Sequence, residues 1–154
     1  LLSLGLARED LAASRLAELR AVARALPPGP VFSEDPLVPL LGGARPVVLD
    51  PWMLRIAAER EPDLARRLAA ALARGEYPAV VLFRDLDDPG ADAWYAGGNL
   101  GPALVASVRL GYRREGAVGR YHLYRPHREG PAAPLPEAAV PAASARVLAP
   151  APPR

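Results

Sequence analysis

Apolar residues recur at three- and four-residue spacing near the start of the chain. Leu16, Leu19, Val22, Ala23 and Leu26 share one face, and Arg8, Glu9, Arg15, Glu18, Arg20 and Arg24 fill the others. This spacing predicts an amphipathic helix over residues 7–26, stopped by Pro27, Pro28, Gly29 and Pro30. The pattern then changes and uses one device twice. Val31 and Phe32, then Val47, Val48 and Leu49, are short apolar runs that meet an Asp-Pro pair (Asp35-Pro36, Asp50-Pro51) before an apolar stretch of helical character. Each unit reads as strand, cap, helix: an Asp carboxylate accepts from free backbone N–H groups, and Pro suits the first helical position. A helical pattern restarts at Glu61-Pro62-Asp63, with Leu64, Leu68, Ala71 and Leu72 on one face, and ends at Gly75. The continuous run AVVLF at 79–83 predicts a central strand buried on both faces. Residues 84–101 (RDLDDPGADAWYAGGNLG) have no period and predict a long connection. Leu104, Val105 and Val108 stripe a last helix, and period-two alternation around Gly116 and Gly119 predicts a terminal hairpin.

This order predicts a three-layer, Rossmann-like α/β sandwich with a mainly parallel sheet and a C-terminal antiparallel hairpin. Strands are expected near Val31, Val47, Ala79 and Tyr112, with an antiparallel partner near Tyr121 and the order 2-1-3 followed by the hairpin. The single domain spans 7–126. LLSLGL at 1–6 reads as the end of a preceding membrane segment, and the Ala- and Pro-rich stretch 127–154 as a disordered tail, too poor in large apolar side chains to offset its ordering entropy.

Composition narrows the class only a little. The chain of 154 residues suits one core, and all 19 basic residues are arginine. The net charge is only +2 and the arginines are interleaved with carboxylates, so no nucleic-acid partner is expected. The absence of cysteine excludes disulfides and thiolate metal sites.

The candidate chemistry lies on the expected carboxyl edge of the sheet. Glu34, Asp35 and Asp50 are paired carboxylates suited to acid–base work or a divalent cation, with helix capping as the simpler role. Ser33 has no His or Lys placed to activate it. Asp85, Asp87, Asp88 and Asp92 lack the Gly and the final Glu of a calcium loop and read as a turn around Pro89-Gly90. Trp94, Tyr95 and Asn99 form the substrate-binding candidate: aromatic faces beside an amide and flexible backbone suit a sugar or a lipid-carrier headgroup, and equally suit a loop pinned to the sheet. His122 and His127 are separated in the pattern, and Arg113, Arg114, Arg120 and Arg125 make the hairpin basic. No cofactor or metal site is expected.

The segments PPGPVFSEDPLVPLLGGARPVVLDPWML, GEYPAVVLF and NLGPALVASVRLGYRREGAVGRYHLYRP resemble, in that order, a particular soluble domain. It is the C-terminal domain that follows the membrane helices in some bacterial glycosyltransferases of the GT-C superfamily, relatives of the protein mannosyltransferases and the lipid A aminoarabinose transferase. The resemblance implies a membrane enzyme that moves a sugar from a polyprenyl-phosphate carrier to an acceptor on the extracytoplasmic side. In that family the catalytic carboxylate lies in a loop between the first membrane helices, outside this chain, so no catalytic residue is carried over. The implied partners are the membrane part of the same protein and the polyprenyl-phosphate sugar or its acceptor. Two other readings stay open: a soluble nucleotide- or S-adenosylmethionine-binding enzyme, and a protein-interaction module without a ligand. Against the former, the Gly-rich turn expected after the first strand is replaced by Ser33-Glu34-Asp35-Pro36.

Overall fold

The computed structural model describes the backbone of residues 2–127 and the side chains from residue 13 onward. The reading of the tail 127–154 as disordered lies, from residue 128 onward, outside the described residues. In order the elements are α1 (Leu2–Ala25), β1 (Val31–Ser33), α2 (Leu37–Leu41), α3 (Pro51–Arg60), α4 (Pro62–Ala73), β2 (Ala79–Leu82), α5 (Ala91–Ala96), α6 (Pro102–Gly111), β3 (Tyr112–Val118) and β4 (Tyr121–Pro126).

The four strands lie in the order β1-β2-β4-β3. β1 and β2 run parallel, with Val31 beside Ala79, while β4 pairs antiparallel with both β2 and β3. The sheet is therefore mixed, with one parallel pair, and the expectation of a mainly parallel, Rossmann-like sheet is corrected. The cause is where the hairpin inserts. After α6 the chain enters the sheet at its outer edge as β3, and β4 returns into the slot beside β2 that a parallel strand would have filled. The strand expected at 47–49 contracts to a single parallel bridge between Val31 and Pro46. Pro46 has no N–H to donate to a ladder, and four residues later the chain is committed to the Asp50 cap of α3.

Alternation along the strands makes two cores, one on each face. Phe32, Val80, Leu82 and Tyr124 pack under α4, α5 and α6 with Leu72, Tyr95, Leu104, Val105 and Val108. Val31, Ala79, Val81, Tyr121 and Leu123 face α1 and α2 through Leu19, Val22 and Val38. Two glycines permit close approaches. A Cβ at Gly111 would run into the carbonyl oxygen of Leu72, which lets α6 cross tightly over α4. Gly119, at φ +54°, turns the hairpin against α1, where the Glu18 carboxylate accepts the Arg120 N–H at 2.5 Å.

Candidate functional site

β1 and β2 end side by side, and the residues that follow β1 are buried. Glu34 continues the ladder, its N–H donating to the Val81 carbonyl at 3.0 Å, before its side chain turns across the sheet. One carboxylate oxygen, Oε2, accepts from the Phe83 N–H at 2.6 Å and from the Tyr95 hydroxyl at 3.0 Å. The other, Oε1, is buried without a hydrogen-bond partner among the described residues. Burial pushes the Glu34 pKa above its ordinary 4.5, and the Phe83 N–H and Tyr95 hydroxyl pull it part of the way back. The same burial, reinforced by the Glu34 charge, pushes the Tyr95 hydroxyl upward. A carboxyl whose pKa is raised is moved toward the range that suits a general acid. Glu34 is only 3% exposed, however, and its bonds are all to the protein, so no solute-sized reactant meets it.

Asp35 is equally committed. Its Oδ1 accepts from the Leu37 N–H at 3.0 Å and its Oδ2 from the Tyr121 hydroxyl at 2.8 Å. The guanidinium groups of Arg15 and Arg120 stand 3.7 and 3.8 Å from the same Oδ2. Pro36, and not Asp35, occupies the cap position of α2, so the expected capping role is met one residue earlier by an Asx-type turn. Ser33 completes that turn: its Oγ donates to the Asp35 carbonyl at 2.8 Å and accepts the Asp35 N–H at 3.2 Å. Asp50 is the N-cap of α3, accepting from the Trp52 and Met53 N–H groups at 2.9 and 3.0 Å.

The loop after β2 contains the short helix α5, and successive residues on it point apart. Tyr95 is fully buried against Glu34, whereas Trp94 is 41% exposed with the Arg84 guanidinium 4.8 Å from its ring centre. Trp94, Tyr95 and Asn99 are thus not brought together as one open surface: Trp94 faces outward, Tyr95 is withdrawn, and Asn99 is half-buried. The acidic residues of the loop serve the turn and the hairpin. Asp85 accepts from the Asp87 N–H at 3.1 Å and pairs with Arg114 at 2.8 Å, Asp88 accepts from the Gly90 N–H at 2.9 Å, and Asp92 pairs with Arg109 at 2.7 Å. Among the described residues no three His, Asp or Glu side chains converge in a way that would hold a metal ion. His122 lies beside Asp85, 3.7 Å from it, with its Nδ1 buried, while His127 is exposed and donates its backbone N–H to the Gly111 carbonyl.

The hairpin arginines separate. Arg114 meets Asp85, Arg125 meets Glu115 at 2.6 Å and the Ala25 carbonyl at 2.8 Å, and Arg120 lies over the rings of Phe83 and Tyr121 at 4.9 and 5.3 Å. Arg15 and Tyr121 were not legible as neighbours of the edge, because the contacts that place them join α1, the hairpin and the residues after β1 across much of the chain. Leu37, Leu49, Trp52, Met53 and Trp94 are exposed on the segments that follow the strands, together with the charged Asp50, Arg84, Asp87 and Asp88. No helix among the described residues is long and apolar enough to cross a membrane. Comparison of the chain with protein-family models, with curated proteins and with solved structures finds no match.

Proposed function

We propose that this chain is an accessory extracytoplasmic domain of a membrane glycosyltransferase, one that transfers a sugar from a polyprenyl-phosphate carrier to an acceptor with catalytic residues outside this chain. The resemblance of its three segments to the domain that follows the membrane helices in GT-C enzymes motivates the proposal. The observation that carries it is the division of labour at the carboxyl edge. Glu34, Asp35, Asp50 and Asp85 are each held by a backbone N–H, a tyrosine or an arginine, and Leu37, Leu49, Trp52, Met53 and Trp94 are left exposed. An edge built this way supports contact with a neighbour better than bond-making. The buried turn Ser33-Glu34-Asp35 likewise favours an accessory role over nucleotide or S-adenosylmethionine binding, which uses an open glycine turn at that position.

The test is the coding sequence upstream of Leu1, together with transfer activity. Expected are several hydrophobic spans before Leu1 and, in membranes holding the full-length protein, sugar transfer from a polyprenyl-phosphate donor that the 154-residue chain alone does not perform. A full-length protein without such spans, or transfer by the 154-residue chain itself, would overturn the proposal.

A further inference from the structure

Two acidic side chains are buried just after β1, and only one of them has a cation beside it. Asp35 faces Arg15 and Arg120 on the α1 side of the sheet. Glu34 lies on the opposite face, and among the described residues its carboxyl is met only by the Phe83 N–H and the Tyr95 hydroxyl, both on Oε2. Its Oε1 is buried and bare. The other ionisable groups nearby bring no compensating charge. Tyr124 of β4 lies near Tyr95 and donates to Asp85 at 3.2 Å, and His122 is on the far side of β2, opposite Leu82. The Arg84 guanidinium is turned out over Trp94, Arg109 of α6 is engaged by Asp92, and Arg55 of α3 by Glu59. A charge on Glu34 therefore rests in a dry site with one oxygen unsolvated, and any opening that wets it becomes easier as the group ionises.

The two partners of Glu34 differ in how firmly they are held. Phe83 follows directly on β2, an inner strand whose Val80, Val81 and Leu82 are fully buried between the two cores. Withdrawing it would dismantle the domain. Tyr95 belongs to α5, a six-residue helix between Gly90 and Gly97 that buries only Ala91 and Tyr95. Its Asp92, Ala93, Trp94 and Ala96 are exposed. A short element with so little buried surface opens at far lower free energy than a central strand.

We propose that Glu34 and Tyr95 form a pH-sensitive latch on α5, seated while Glu34 carries its proton and opening more readily once the carboxyl is ionised and water reaches Oε1. The raised pKa of Glu34, caused by burial, agrees in sign: the seated form holds the proton more tightly, so seating weakens as pH rises through the folded pKa. The latch does not depend on the transferase reading.

Native-state hydrogen exchange, with rates corrected for the intrinsic effect of pH, tests it. The Trp94 and Gly97 N–H groups, which donate to the Gly90 and Ala93 carbonyls at 3.1 Å, report on α5, and those of β2 report on the core. Expected is an opening of α5 that is insensitive to low urea and grows about tenfold between about pH 4 and about pH 7. E34Q and E34M cannot ionise and should show no such growth. Y95F keeps the ionising group, and its α5 should open more at every pH while retaining the pH step. Exchange of the α5 amides only in step with β2, with the same urea dependence, would overturn the latch by assigning the effect to global unfolding. An α5 opening independent of pH in the natural chain, or a step that persists in E34Q or E34M, would overturn it too.

Discussion

At the scale of single residues, Glu34 carries the clearest consequence. Its folded pKa is raised, so the folded chain holds this proton more tightly than the unfolded chain does. The resulting stabilisation is full below the ordinary carboxyl range and is lost as pH rises through the folded pKa. Glu34→Gln cannot ionise, so between about pH 4 and about pH 7 the melting temperature of the variant should rise relative to that of the natural chain. A constant difference across that range would show that the carboxyl titrates normally. Tyr95→Phe removes the hydroxyl that donates to Glu34 and accepts from the Arg84 N–H at 3.4 Å, and should cost roughly 1–3 kcal/mol in urea unfolding. The sequence marked Glu34, Asp35 and Asp50 as residues of the edge, and for Asp50 it also supplied the role. It did not reveal that Tyr95 and Tyr121 reach the first two. Those hydroxyls arrive from 61 and 86 residues away, a separation that local spacing cannot encode.

At the scale of elements, caps and stripes were legible because their physics is local. Asp50 holds two N–H groups of α3, and Asp50→Ala should destabilise the domain by about 1 kcal/mol, read as a lower midpoint in denaturant. The expected strand at 47–49 failed because an apolar run reports burial and not ladder bonds: Val48 is buried although only Pro46 bridges to β1. α5 was missed because six residues between Gly90 and Gly97 are too few to display a helical period. The tight crossing of α6 over α4 predicts that Gly111→Ala, which looks harmless in a helix, will cost about 1–3 kcal/mol by forcing a shift against the Leu72 carbonyl. A melting temperature equal to that of the natural chain would show that the two helices separate freely.

At the scale of the whole molecule, the alternation of strands and helices indicated α/β, and the buried run at β2 indicated its centre. Strand order was not legible. Alternation assigns Tyr121 and Leu123 to one face and Tyr124 to the other, but it does not say beside which strand they lie, and the insertion of β4 next to β2 makes the sheet mixed. The same topology brings α1, α3 and α5 to one edge, where chemistry and contact make opposite demands on the residues. The most direct test compares sugar transfer by the full-length protein carrying S33A/E34Q/D50N with transfer by the protein carrying W52S/W94S, each checked for a folded domain. The account predicts that the first retains transfer and the second loses most of it. A drop of about a hundredfold or more in the first, the loss expected for a missing acid–base group, with the second unaffected, would contradict it.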